Sequence, residues 1–201
     1  GDELFFLRFV PALRDRGAEI AYEPHPKLAE LLRGHPLLDR LHAATVGDEG
    51  FDSIVSVADL PYLVGTVATT DVPPPFILQP TPARVERIRD RLAAFGPPPY
   101  VGVTWRAGTP KHEKLFKSVD PAALGRILAS LGGTAVVLQR SPQAEESRAF
   151  EAAIGRPSFD ASAANDDLVE MAAVLAALDY YVSVSNTNVH LCASLGKNCR
   201  V

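Results

Sequence analysis

Apolar positions along the chain switch between a helical spacing of three or four residues and short continuous runs that are typical of buried strands. In the first half, the spacing predicts helices over residues 2–16, 26–33, 60–67 and 82–95, and strands over 19–23 and 52–57. Pro11 predicts either a kink in the first helix or a helix that begins later, and Gly17 predicts its end. The proline-rich stretch 71–82 predicts an extended connection.

The second half repeats the alternation more regularly. The pattern predicts strands over residues 100–105, 134–139, 158–160, 180–184 and 198–201, and helices over 121–131, 142–153, a segment ending at 178, and 188–195. Asp120 followed by Pro121 favours a helix start, and Asn165 or Asp166 is the predicted cap of the helix ending at 178. The Asp166-Asp167 pair is likewise predicted to be a helix cap and not a metal site. Strands separated by helices of this length indicate an α/β fold with parallel sheets.

A Gly-Pro-Pro-Pro break at residues 96–99 separates two such blocks, which predicts two Rossmann-like domains, 1–97 and 98–201, with a cleft between them. The chain opens on a helix start without a Met and closes on a strand-like run. We therefore expect it to be part of a longer protein.

Composition narrows the class of protein. The chain has 201 residues, 47% of them hydrophobic and 22% charged, which is typical of a soluble globular protein. No apolar run is long enough for a membrane span, and no signal peptide is visible. The net charge of −4 argues against a nucleic-acid partner. Cys192 and Cys199 fit neither a zinc spacing nor a disulfide framework, so two reduced thiols and a cytoplasmic location are expected.

The loop at residues 106–118 follows a predicted strand and is basic in an acidic chain. Ligands of open parallel sheets bind beyond the carboxyl ends of the strands, and Arg and Lys neutralise phosphate. We therefore predict anion binding by Arg106, Gly108, Thr109 and Lys117. A solvated surface loop is the alternative. Trp105, just before the loop, is a candidate for stacking on a nucleotide base or for filling the core.

The loop at residues 185–188 precedes the predicted helix 188–195. Free N–H groups at a helix start favour a phosphate, so Asn186, Thr187 and Asn188 are candidate donor-phosphate ligands, with His190 in the first turn. Ordinary N-capping and a structural histidine are the alternatives. No residue cluster has a metal-ligand spacing, and both the P-loop and the G-x-G-x-x-G patterns are absent, so no metal is expected.

Four stretches, taken in order, resemble a known family. They are the Gly1-Asp2 helix start, the strand and glycine turn at 101–108, the Lys117-Ser118-Val119 element, and the strand–loop–helix at 182–197. Together they resemble the heptosyltransferase-like glycosyltransferases (glycosyltransferase family 9). They resemble more closely the glycosyltransferase domain found behind tetratricopeptide repeats in bacterial proteins.

The resemblance implies a GT-B architecture, with an acceptor-side domain over 1–97 and a nucleotide-sugar-binding domain over 98–201. It implies metal-independent, inverting transfer from a nucleotide sugar, the co-substrate, to a glycan, lipid-linked or protein acceptor, with no other cofactor. Asp2 falls on the position of the family's general base, Lys117 on its donor-phosphate lysine, and His190 on its signature histidine.

The chain also departs from the family pattern. Ser185 stands where the family has an Asp, and Asp120 stands where a Pro is common. The first domain would lack its opening strand, and the second its C-terminal part. A non-catalytic nucleotide-sugar- or protein-binding module is therefore the alternative function. A small hydrolase or reductase is disfavoured, since the chain has neither a nucleophile elbow nor a dinucleotide fingerprint.

Overall fold

A computed structural model describes residues 1–42, 50–108 and 117–201. The chain forms two compact units, Gly1–Leu78 and Gln79–Val201. Within the described residues, no helix has both the length and the apolar character needed to cross a membrane.

The first unit is built from short elements. In chain order they are α1 (Asp2–Phe6), a 3₁₀ turn (Leu7–Phe9), α2 (Val10–Arg14), β1 (Ala21–Tyr22), α3 (Pro26–Leu32), β2 (Arg40–Leu41), a 3₁₀ turn (Val57–Asp59), α4 (Leu60–Val64) and a 3₁₀ turn (Thr69–Asp71). β1 and β2 pair in parallel, with Ala21 opposite Arg40. The buried residues Leu4, Leu7, Phe9 and Val10 anchor α1 and α2.

The predicted helix over 2–16 is two short helices joined by a 3₁₀ turn. Pro11 lies in the first turn of α2, where its missing N–H costs no helical hydrogen bond. The proline therefore marks a helix start after a break. Gly17 follows α2 at φ +86°, as a helix stop requires.

The strand predicted over 52–57 was wrong. Residues 52–56 form no strand, and the side chains of Ile54 and Val55 are 60% and 48% exposed. A strand needs a hydrogen-bonded neighbour, and none of the described residues pairs with this segment. Ser56 instead accepts a hydrogen bond from the backbone N–H of Ala58 and caps a 3₁₀ turn.

The second unit holds longer elements. They are α5 (Pro82–Phe95), β3 (Tyr100–Thr104), α6 (Pro121–Leu128), a 3₁₀ turn (Ala129–Leu131), β4 (Thr134–Val137), α7 (Ala144–Ile154), β5 (Phe159–Asp160), a 3₁₀ turn (Ser162–Asp166), α8 (Leu168–Ala177), β6 (Tyr180–Ser183), α9 (Thr187–Ser194) and β7 (Cys199–Arg200). The five strands form one parallel sheet in the order β5-β4-β3-β6-β7.

The core of the second unit lies between this sheet and its helices. β3 and β4 pack against α6 and α7 through buried apolar side chains: Val101, Val103, Trp105, Leu124, Leu128, Ala135, Val137, Phe150 and Ile154. Gly125 permits the close approach of α6 to α7, because a Cβ there would lie 2.7 Å from the carbonyl oxygen of Phe150.

Helix α5 belongs to the second unit, although the sequence break had suggested a boundary after residue 97. It contacts α8, and the Glu170 carboxylate pairs with the guanidinium groups of Arg84 at 3.2 Å and Arg87 at 2.6 Å. The apolar stripe Val85, Ile88 and Leu92 is buried. These contacts account for the observed division at residues 78/79.

The cap of α8 is Asp167, which confirms the cap predicted for the Asp166-Asp167 pair and not the alternative of Asn165. Asp167 accepts hydrogen bonds from the backbone N–H groups of Val169 and Glu170, while Asn165 and Asp166 lie in the preceding 3₁₀ turn. Partial burial favours the neutral acid, but these N–H groups and the Arg84 guanidinium outweigh it and lower the pKa of Asp167.

Both cysteines are free thiols. Burial, followed by the charge of Cys199, raises the pKa of Cys192 to about 12. A buried thiol of this kind is chemically inert, which agrees with the expected reduced state.

Candidate functional site at the carboxyl edge of the sheet

The order of the five strands creates a switch point between β3 and β6. From β3 the chain adds β4 and β5 on one side, and then returns to add β6 and β7 on the other. The loops that follow β3 and β6 therefore diverge from neighbouring strands at the same edge. Ligands of open α/β sheets bind in such a crevice, and these are the two loops that the sequence singled out.

The loop after β3 is closed at its base by a short antiparallel bridge. Arg106 lies opposite Ser118. The N–H of Ala107 donates to the carbonyl of Lys117 at 3.0 Å, and the N–H of Val119 donates to the carbonyl of Trp105 at 2.7 Å. Thr109, a predicted ligand, lies outside the described residues, as do all of 109–116.

Arg106 is occupied by protein groups. Its Nε lies 2.6 Å from Glu146 Oε1, and its Nη2 lies 3.0 Å from Glu146 Oε2. The same guanidinium donates to the carbonyls of Gly108 at 3.0 Å and Ser141 at 2.8 Å. Four contacts satisfy most of its five N–H donors, so few remain for a phosphate, and a ligand role for this residue stays a prediction.

Glu146 is the partner that sequence reasoning missed. Burial opposes its ionisation, but the Arg106 guanidinium and the backbone N–H of Gln143 outweigh that effect and lower the pKa of the carboxyl. Glu146 lies in the first turn of α7, where an acid is favourable. The pair therefore ties the base of the loop after β3 to the start of α7.

Lys117 is the exposed cation at the base of this loop. No ion pair joins its ammonium group to any of the described residues, in contrast to Arg106. Gly108, at the other end of the described loop, is exposed, adopts φ +72° and has open space where a Cβ would lie. Among the described residues of the loop, Lys117 thus presents an exposed positive charge near the backbone turn at Gly108.

The loop after β6 shows N-capping, the alternative left open by the sequence. Asn186 Oδ1 accepts from the backbone N–H groups of Asn188 at 2.8 Å and Val189 at 3.3 Å, and its Nδ2 donates to Ser183 Oγ. Thr187 is the first residue of α9. His190, in the first turn, is partly buried.

Buried amide side chains connect the strand ends beneath these loops. Gln139, which is completely buried after β4, accepts from the backbone N–H groups of Trp105 and Arg106 at 3.1 and 2.9 Å. Asn165 donates to the carbonyl of Leu138 and accepts from Nδ2 of Asn188 at 3.2 Å. In the sequence, the signal that could have identified Gln139 is a polar residue directly after a buried strand. The amide side chains thus lock the carboxyl edge into one arrangement.

Trp105 is a core residue. Its side chain is 1% exposed, and its ring packs against Phe150 with a centroid separation of 5.7 Å and an interplanar angle of 30°. Both faces are therefore unavailable to a nucleotide base, which corrects the stacking candidate.

In the first unit, Asp2 is the exposed first residue of α1. Its neighbour Glu3 accepts hydrogen bonds from Tyr22 Oη at 2.7 Å and from the backbone N–H of His25 at 2.9 Å. Tyr22 ends β1 and His25 caps α3. The start of α1 therefore lies at the carboxyl edge of the small sheet, where a ligand-facing acid is expected.

Comparison with solved structures identifies the fold. A glycosyl transferase of family 9 from Veillonella parvula superposes with a TM-score of 0.68 over 98% of this chain and 76% of that one, at 12% sequence identity. The chain has a GT-B-type glycosyltransferase fold. Within it, the second unit has the Rossmann-like order of a parallel sheet with a central switch point.

Other comparisons are weaker. The Escherichia coli heptosyltransferase WaaC, solved with ADP-2-deoxy-2-fluoro heptose, gives a TM-score of 0.37 at 17% identity, over 81% of this chain and 47% of that one. No protein-family model matches the sequence, and no curated protein matches it.

Proposed function

We propose that this protein is a glycosyltransferase that moves a sugar from a nucleotide-sugar donor to a glycan, lipid-linked or protein acceptor. The observation that carries the proposal is Lys117, which is exposed at the base of the loop after β3, beside the switch point of the parallel sheet, and which forms no ion pair with any of the described residues. A diphosphate is the part of such a donor that an exposed ammonium group recognises.

The proposed reaction is a single displacement. The acceptor hydroxyl oxygen attacks the anomeric carbon, the bond from that carbon to the diphosphate oxygen breaks, and the hydroxyl proton passes to the carboxylate of Asp2. Attack opposite the leaving group inverts the anomeric centre. Lys117 stabilises the charge on the departing nucleoside diphosphate, and the dipole of α9 adds a favourable potential at its N-terminus. In this scheme the nucleotide sugar is consumed, and no metal is required.

A second candidate function is a non-catalytic nucleotide-sugar- or protein-binding module. The specific observation in its favour is that two predicted ligands already have internal partners. Arg106 is paired with Glu146, and Asn186 caps α9. Ser185, which stands where the family has an Asp, also favours a non-catalytic module. Such a module would bind a donor through Lys117 without turning it over.

A thermal-shift screen of the intact protein with UDP-, GDP- and ADP-sugars tests the proposal. A ligand at 100 times its Kd stabilises the fold by about 2.7 kcal/mol, which is a readily measured shift. Release of nucleoside diphosphate in the presence of acceptors then separates the two candidates. Transfer or hydrolysis supports the enzyme, and binding without release supports the module. The absence of binding by all three donor classes contradicts the transferase and the nucleotide-sugar-binding form of the module. Bacterial origin and cytoplasmic location stay predictions.

A further inference from the structure

One carboxylate joins three elements at the carboxyl edge of the first unit. A single oxygen of Glu3, Oε1, accepts from the hydroxyl of Tyr22 at 2.7 Å and from the backbone N–H of His25 at 2.9 Å. Tyr22 is the last residue of β1, and His25 is the N-cap of α3. The first turn of α1 is therefore attached both to a strand end and to a helix start.

Glu3 provides side-chain hydrogen bonds that hold this turn. α1 has five residues, its N-cap Gly1 forms no side-chain cap, and Leu4 is its buried anchor. Helix ends fray unless side chains hold them. The Asp2 carboxylate accepts no hydrogen bond from the described residues, so its position depends on the backbone that Glu3 fixes.

We propose that Glu3 is a positioning residue for Asp2, acting through its hydrogen bonds to Tyr22 and His25. The proposal rests on the proposed function, in which Asp2 takes the acceptor proton. Glu3 adjoins Asp2 in the chain, so releasing its side chain frees the peptide that carries the base. A displacement of about 1 Å at a reacting group can cost about 10²-fold in rate.

The chemistry of Tyr22 supports this arrangement. Its side chain is half-buried, and burial, the hydrogen bond to Glu3 and the negative charge of Glu3 all raise the pKa of the phenol. The hydroxyl therefore remains a donor at every working pH, and the bond to Glu3 persists.

The experiment compares steady-state transfer by Glu3→Ala and Glu3→Gln in the intact protein. We expect Glu3→Ala to lower kcat by about 10- to 100-fold while the KM for the donor changes less than about twofold. Glu3→Gln restores kcat to within about threefold, because its carbonyl oxygen accepts the same two hydrogen bonds. The control is Glu19→Ala, which removes an exposed acid paired with Arg40 at the surface.

A second pair of variants isolates the tyrosine bond. Tyr22→Phe removes one of the two bonds to Glu3, and we expect a smaller loss of kcat, about 3- to 10-fold. Tyr62→Phe makes the same change at a side chain that is 86% exposed, and kcat remains at the wild-type value. Equal effects of the two substitutions overturn the proposal.

Hydrogen–deuterium exchange provides a readout that does not need turnover. The N–H of Phe5 donates to the carbonyl of Gly1 at 3.0 Å in the first turn of α1. We expect this amide to exchange about tenfold faster in Glu3→Ala and at the wild-type rate in Glu3→Gln. If wild-type protein turns over no donor, the proposed function fails, and unchanged exchange in Glu3→Ala separately overturns the positioning role. Faster exchange with a wild-type kcat also overturns it.

Discussion

The two units use polar side chains at their carboxyl edges in opposite ways. In the second unit, amides and an ion pair satisfy one another: Gln139 binds backbone N–H groups, Asn165 binds Asn188, and Arg106 binds Glu146. In the first unit, Asp2 faces solvent and its neighbour Glu3 makes the contacts. A charged residue in a loop therefore indicates a ligand only after its internal partners are known.

The largest expected effect is the loss of transfer when Asp2 in the first unit is replaced. Asp2→Ala lowers transfer by about 10²- to 10⁴-fold, because a general base contributes that much, while the affinity for the nucleoside diphosphate stays nearly unchanged. Transfer assays and calorimetry on the intact protein measure the two quantities. Asp15→Ala, another exposed acid in this unit, is the matched control. Wild-type turnover in Asp2→Ala excludes this residue as the base.

The next largest effect is a loss of stability where the backbone of the second unit is closely packed. Gly133 adopts φ +68°, and a Cβ there would lie 2.1 Å from the carbonyl oxygen of Pro99. Gly133→Ala therefore destabilises the protein by about 2–4 kcal/mol in urea unfolding. Gly132 has φ +63° and ψ −166° with open space around it, so Gly132→Ala carries only the backbone strain, about 1–3 kcal/mol. Equal losses in the two variants contradict the predicted clash.

The contrast between Arg106 and Lys117 is tested by a pair of alanine variants. We expect Lys117→Ala to weaken nucleoside diphosphate binding by about 10- to 100-fold, the range for a hydrogen bond to a charged group, and nucleoside binding much less. Arg106→Ala instead destabilises the fold by about 1–3 kcal/mol, because it leaves Glu146 unpaired. Calorimetry and thermal melting measure these effects. Equal losses of both ligands in Lys117→Ala refute its role with phosphate.

The smallest effect is the pH dependence of the Arg106–Glu146 pair. The pKa of Glu146 in the folded protein lies below its unfolded value of about 4.3. Its stabilisation is therefore present above that value and is lost as the pH falls through the folded pKa. Wild-type protein should exceed Glu146→Gln in stability by about 1 kcal/mol at pH 7, and the melting temperatures should converge as the pH falls through the folded pKa of Glu146. A difference independent of pH contradicts this assignment.

Strongly periodic elements of the fold could be predicted from the sequence. Helix 82–95 matches α5 residue for residue, because Pro82 opens an amphipathic stripe that a Gly-Pro break closes. The buried strands β3, β4 and β6 were also predicted. The strand over 52–57 failed because its existence depends on pairing, which an apolar run does not encode. The unit boundary differed because α5 packs against α8, a long-range contact.

The location of the candidate site could be predicted from the sequence, but the contacts among its residues could not. The two loops that flank the switch point follow from strand order and polarity. Which polar groups remain open depends on partners distant in sequence: Glu146 lies 40 residues after Arg106. Trp105 was ambiguous for the same reason, since Phe150, which packs against it, lies in α7, far along the chain.

The burial of Trp105 has an experimental use. It is the chain's one tryptophan, so indole fluorescence comes entirely from the second unit. Loss of that unit's core would shift the emission to longer wavelength, while melting of the first unit alone would leave the spectrum unchanged. The protein thus carries an intrinsic optical probe that distinguishes the unfolding of one unit from that of the other.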